Sequence, residues 1–211
     1  NTIIDGGQID RVVTFNSGES NDASLENFTI RNGSSWSGGG IHCQSSNPSL
    51  TNLIITSNSG QDGGGIWCGE SSPLVTNTII QSNTVVGYGG GVFCFSNSDP
   101  VLKEITIIDN TAGSGGGVFC WNSNPLFQYA NISYNTSWNG AGIYGYSDSN
   151  PVLEAVTLCN NTSTQYSGGI FLNHGSSASL SNSIIRDNFP EEIYFESFEA
   201  GSTQPQHLAI E

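Results

Sequence analysis

The residues best placed to do chemistry are aromatic and stand in register. His42, Trp67, Phe93, Phe119, Tyr144 and Phe171 each follow an Ile or Val by one position, and Phe95, Trp121 and Tyr146 come two residues later. Side chains alternate along a strand, so these rings are expected on the outer face of one flat sheet. A contiguous aromatic column on a surface marks a contact site. The candidate binding residues are therefore Trp67, Phe93, Phe95, Phe119, Trp121, Tyr144, Tyr146 and Phe171. Three uses stay open at this stage. The rings could stack on one another beneath the loops that precede each Gly cluster. They could form a protein interface, through lateral packing of rods or a neighbouring domain. They could also make a glycan platform, with ring faces on sugars and Ser and Asn supplying hydrogen bonds.

Catalytic constellations are sparse. Asp109 and Asp187 share a repeat slot but lie three repeats apart, as do Glu70 and Asp148, while Lys103 and Glu154 share a slot two repeats apart and read as a surface pair. A glycosidase acid/base pair needs a separation of about 5 to 9.5 Å. His42, His174 and His207 lack metal-ligand spacing, and none stands beside a candidate nucleophile. No catalytic or metal residue is assigned. No cofactor is expected; calcium is the one ion worth naming, near Asp5, Asp10, Glu19 and Asp22 or at Asp62. Cys43, Cys68, Cys94 and Cys120 fall two residues after the inward Ile or Val and are expected to face inward, as free thiols or inter-repeat disulfides. Cys159, directly after inward Leu158, is expected to face outward, as the reactive or intermolecular one.

Composition narrows the function classes. The 211 residues carry a net charge of -14 with only four basic side chains, which excludes a basic groove for nucleic acid. No apolar run reaches the length of a transmembrane helix. A charged fraction of 10%, with polarity supplied by Ser, Asn, Thr and Gly, argues against helices and for turns and stacked amides. The opening NTIIDGG reads as strand and turn rather than a signal peptide, so a mature or excised piece is expected.

The elements that must position these residues are repeats. Leu25, Leu50, Val75, Leu102, Phe127, Leu153 and Leu180 recur every 25 to 27 residues, and a second register follows five residues later at Ile30, Ile55, Ile80, Ile107, Ile132, Leu158 and Ile185. That fixed offset requires two short strands joined by an invariant turn. A third register follows the Gly cluster: Ile41, Ile66, Val92, Val118, Ile143 and Ile170. Three strands per coil, stacked in parallel at about 4.8 Å, bury a continuous core. Asn58, Asn83, Asn110, Asn135, Asn161 and Asn188 lie three residues after the second register. They are expected to take the left-handed conformation and to form a hydrogen-bonded amide ladder. The whole chain, 1–211, is expected to be one domain: 1–24 a cap or irregular first coil, 25–188 regular coils, and 189–211 a cap or divergent coil with a strand over 193–198 and Glu191, Glu192, Glu196 and Glu199. Sequons occur at Asn27, Asn32, Asn131, Asn135, Asn160 and Asn161.

The segment SSPLVTNTIIQSN (Ser71 to Asn83) followed by GGGVFC (Gly89 to Cys94) resembles coils of the right-handed parallel β-helix in the pectin-lyase-like superfamily. IIDGGQIDRVVTF and NSIIRDNFPEEIYF resemble the flanks of such arrays. The resemblance implies an all-β, single-stranded right-handed solenoid of about seven coils, in a GGGI version found in many secreted and surface proteins. It also implies polysaccharide-acting relatives, whose lyases use an Arg or Lys base beside calcium-holding acids and whose hydrolases use close aspartates. Neither paired aspartates nor a Gly-His-Gly motif occurs here. The expected function is a non-catalytic secreted or cell-surface structural or adhesion module, binding or assembling through the aromatic ladder, with other protein chains by lateral or end-to-end assembly, or an extracellular glycan, as partner. The alternative is a polysaccharide lyase, glycoside hydrolase or glycan-binding module.

Overall fold

The computed structural model describes residues 2–196 and the backbone of the strand Leu208–Ile210. The chain winds as a parallel β-solenoid. Its strands form three eight-stranded sheets and one six-stranded sheet among the described residues. Taken in the order a coil visits them, sheet I begins with Ser24–Glu26 and Ser49–Thr51, and sheet II contains Phe28–Arg31 and Ile54–Thr56. Sheet III begins with Ser34–Ser37 and Ser59–Asp62, and sheet IV contains Ile41–Gln44 and Ile66–Gly69. Every register read from the sequence is a column of direct partners: Leu50 with Val75, Ile55 with Ile80, and Ile66 with Val92.

Each coil thus has four strands where three were expected. Sheet III was missed because its strands, such as SSWS and SGQD, carry no apolar alternation. Ladder hydrogen bonds from neighbouring coils hold them instead, as in Ser59 N–H to the Gly33 carbonyl at 2.8 Å and Thr84 N–H to the Asn58 carbonyl at 2.9 Å.

The fixed offset between sheets I and II comes from a one-residue left-handed turn, at Asn27 (φ 62), Asn52 (φ 53), Asn77 (φ 48) and their equivalents through Asn182 (φ 50). Inside lies one core of Ile, Val, Leu and Phe columns, with Ile30, Ile55, Ile80, Ile107 and Ile132 fully buried. Cys43, Cys68, Cys94 and Cys120 stack inward in that core, and all five cysteines, Cys159 included, are free thiols.

The asparagine ladder forms as expected. Asn58 Nδ2 donates to Asn83 Oδ1, Asn83 to Asn110 and Asn110 to Asn135, each at 3.0 Å, and the column continues through Asn161 to Asn188. Each amide also donates back into the core strand, as Asn83 Nδ2 does to the Ile55 carbonyl at 3.0 Å. The left-handed conformation, however, belongs to the preceding residue: Ser57, Ser82, Asp109, Tyr134, Asn160 and Asp187. That one turn residue swings the amide inward.

A second ladder was not foreseen. Ser46, Ser71, Ser98, Ser123, Ser149 and Ser176 are buried between sheets IV and I, and the backbone N–H of each of the first five donates to the serine hydroxyl one coil on, at 3.0 to 3.2 Å. The sequence signal was the Ser two residues before Pro48, Pro73, Pro100, Pro125 and Pro151. Both ladders meet the hydrogen-bonding demand of buried turns, which otherwise costs about 1–3 kcal/mol per unmet group.

At the start, Thr2–Asp5 pairs with Phe28–Arg31 and Val13–Phe15 with Ile41–Cys43, so these residues join sheets II and IV. At the other end, Ile193–Phe195 extends sheet IV and Leu208–Ile210 extends sheet I. Of the strand expected over 193–198, Ile193–Phe195 is strand and Glu196 is not, while residues 197–198, Glu199 and His207 lie outside the described residues.

Candidate binding groove

The groove is made by the turn between sheets III and IV. That turn is the Gly triplet, and its first residue is left-handed, as at Gly89 (φ 65). A Cβ on Gly89 would lie 2.7 Å from the Cβ of Phe93. Glycine therefore lets the chain fold back so tightly that the end of sheet III and the aromatic columns of sheet IV line one concave corner.

The inner column is His42, Trp67, Phe93, Phe119, Tyr144 and Phe171, in direct register from coil to coil. It lies outside the β-helix core, but apart from half-buried Trp67 the exposure expected of it is absent: Phe119 and Phe171 are 2% and 1% exposed. The rings form a second hydrophobic cluster of their own. Neighbours pack edge to face, Phe93 on Phe119 at 5.4 Å and Phe119 on Tyr144 at 4.7 Å. Tyr88 covers Phe119 at 4.7 Å, and Tyr166 stacks on Phe171 at 4.8 Å. Burial raises the Tyr144 hydroxyl to about 12 and lowers His42 to about 4.

The outer column, Phe95, Trp121 and Tyr146, keeps the expected contact with solvent. Phe95 is 38% exposed, and Trp121 and Tyr146 are half-buried. One coil earlier the same position is Gly69, whose missing Cβ lets the half-buried Trp67 indole lie over it.

Opposite the rings runs a rail that sequence reasoning missed: Ser37, Asp62, Tyr88, Ser114, Asn139 and Tyr166. The first five immediately precede a Gly cluster and Tyr166 is separated from one by Ser167, and that recurring position was the available signal. Trp36, 77% exposed, stands at the rim. The resulting cleft of about 280 Å³ is lined by Trp36, Ser37, Asp62, Trp67, Tyr88, Phe93, Phe95 and Trp121. A second hollow of about 240 Å³ continues along Ser114, Phe119, Asn139, Tyr144 and Tyr146, sharing Tyr88 and Trp121 with the first. Asp62 is held up from the usual carboxylate range by burial, opposed by the Tyr88 N–H that donates to its Oδ1 at 2.8 Å. Asn139 Oδ1 is buried without a hydrogen-bond partner among the described residues.

Residues 75–204, more than half of the 211, match the family model for the right-handed β-helix region. The chain belongs to that family. No curated protein and no solved structure matches it. In this right-handed β-helix the coils before residue 75 pair in the same registers as those after it.

The other candidate residues lie elsewhere on the β-helix. Cys159 does follow inward Leu158, but it is only 8% exposed, held between Ser133 and Arg186 of the adjoining coils. Close coil stacking shields even an outward small side chain. Lys103 pairs with its own neighbour Glu104 at 3.8 Å, while Glu154 accepts from Gln128 at 2.7 Å, so the expected Lys103–Glu154 pair is replaced by shorter local contacts. Asp5 accepts from Gly7 N–H, Asn32 and Arg31, and Glu19 accepts from Ser46 and Ser17. These bonds hold both carboxyls below their ordinary range. No group of three His, Cys, Asp or Glu side chains is arranged to hold a metal among the described residues. Of the sequons, Asn135 and Asn161 are closed, because both are fully buried rungs of the amide ladder. No helix among the described residues is long and apolar enough to cross a membrane.

Proposed function

We propose that this β-helix is a non-catalytic secreted or cell-surface adhesion module that holds a glycan chain in the groove between sheets III and IV. The observation that carries the reading is the division of the aromatics. From Phe93 to Phe171 the inner column is packed away as structure, while its half-buried Trp67, together with Trp36, Tyr88, Phe95 and Trp121, keeps ring surface in a cleft whose remaining lining is Ser37, Asp62 and buried Phe93. Rings that offer apolar faces beside hydroxyl and amide groups suit pyranoses, which are apolar on their faces and polar at their edges. Successive coils advance by about 4.8 Å, so a glycan laid along the axis would meet roughly one new rung per sugar. Low charge, abundant Asn and Ser, and a family common among secreted and surface proteins support the extracellular setting.

The enzyme reading has one observation in its favour, the raised Asp62 carboxyl in the cleft. A glycosidase needs a second carboxyl within about 9.5 Å. The rail offers Ser37 and Tyr88 on either side of Asp62 instead, with Ser114 and Asn139 on the coils beyond.

The test is depletion of the purified chain by a panel of insoluble polysaccharides, with released reducing ends measured in the same tubes. Depletion by at least one polysaccharide, weakened in Trp121→Ala and without turnover, is expected. Absence of depletion across the panel, with self-association seen by sedimentation, would transfer the groove to rod assembly. Turnover abolished by Asp62→Asn would establish the enzyme.

A further inference from the structure

We infer that the cleft around Asp62 recognises a positively charged sugar, so that the bound glycan is an amino-sugar chain with free ammonium groups. This rests on the glycan reading above and narrows it.

Asp62 is the one charged side chain among the described residues lining the cleft. Its Oδ1 accepts the Tyr88 N–H, and its Oδ2 has no hydrogen-bond partner among the described residues. The carboxylate is also sterically provided for: a Cβ on Gly87 would sit 2.3 Å from Oδ1, so a side chain there would displace it. A half-buried carboxylate without a cation is costly, because apolar rings replace part of its water. None of Arg11, Arg31, Lys103 and Arg186 lines the cleft to neutralise it.

The surrounding rings supply the complementary half of a cation site. Trp67, Tyr88 and Trp121 line the same space, and the face of an aromatic ring is its negative region, with indole the strongest of the set. A carboxylate together with ring faces discriminates by charge in a way that stacking alone does not. The net charge of -14 acts in the same direction at long range, drawing cationic ligands and repelling acidic ones. Were Asp62 present only to cap the Tyr88 N–H, an asparagine oxygen would serve equally well, and that difference is what the experiment isolates.

The measurement is a calorimetric titration of the chain with a short β-1,4-linked glucosamine oligomer and with its N-acetylated counterpart. Both are run in mildly acidic buffer, where the free amines are protonated. The wild type should bind the free-amine oligomer at least tenfold more tightly, with the difference shrinking as salt is raised. Asp62→Asn, which retains an acceptor for Tyr88 N–H, should lose that preference while binding both oligomers at the weaker level and keeping the wild-type melting temperature. Equal or tighter binding of the acetylated oligomer by the wild type, or an unchanged preference in Asp62→Asn, would overturn the charge assignment and leave glycan binding in place. Binding of neither oligomer, together with an empty polysaccharide panel, would overturn both.

Discussion

His42 and Trp67, one coil apart on sheet IV, lie face to face with ring centroids 4.5 Å apart and planes within 3° of parallel. The stack buries the imidazole and holds it neutral: its pKa falls from the ordinary 6.5 to about 4, first through burial and then through the charge of Arg11. The unfolded chain therefore takes up a proton in this range that the folded chain refuses. The stabilising contribution is complete above pH 6.5 and is lost as the pH falls towards 4. Melting temperature against pH should decline more steeply for the wild type than for His42→Phe, which keeps an aromatic ring in the column without a titrating group. Parallel curves would show that His42 is not held neutral. Asp5 and Glu19 also lose stabilising interactions in acid, but they do so equally in both proteins.

Asn110 ties three coils together. Its Oδ1 accepts from the backbone N–H and the Nδ2 of Asn83, and its own Nδ2 donates to the Ile80 carbonyl and to Asn135 Oδ1. In Asn110→Ala the Asn83 donors and the Ile80 carbonyl lose this partner inside a dry turn, each at about 1–3 kcal/mol. A net destabilisation of about 3–5 kcal/mol is expected in urea unfolding, allowing for relaxation around the site. A loss below about 1 kcal/mol would mean that water or a shifted turn replaces the rung.

The repeat, the three apolar registers and the amide ladder were legible because each rests on a side-chain type that burial selects. Ile55 above Ile80, or Asn83 above Asn110, leaves a periodic trace in the sequence. Sheet III left none, since strands such as SGQD are held by main-chain bonds to neighbouring coils. The groove was half legible. Alternation placed Phe119 outside the β-helix core, but alternation along one strand cannot reveal that the next element folds over it, and Tyr88 does. From sequence Asp62 reads as a loop carboxylate and a candidate calcium ligand. What makes it part of a cleft is the sharpness of the turn at Gly63 to Gly65, which sets the end of sheet III against the aromatic columns of sheet IV.

The thiols should be silent in the native state. Cys43 and Cys94 are pushed well above the ordinary thiol range by a hydrogen-bonded neighbouring thiol, Cys68 and Cys120 respectively, and by burial. Thiolate is the reactive form, so both protonation and inaccessibility protect these residues. A thiol reagent should label the native chain only at the rate of unfolding, and without reductant it should count five thiols in denaturant. Fast labelling of native Cys159 would restore it as a surface thiol; a count below five would reveal disulfides along the column.

The central claim is that one aromatic surface does two jobs, with the inner rings holding the coils together and the outer rings holding the ligand. It is tested most directly by measuring glycan binding and melting in parallel for Phe119→Ala and Trp121→Ala, using a polysaccharide that depletes the wild type. Phe119, 2% exposed, should cost about 3–5 kcal/mol of stability when truncated. Half-buried Trp121 should change stability far less and weaken binding at least tenfold. Trp121→Ala binding like the wild type, or melting as early as Phe119→Ala, would contradict this division.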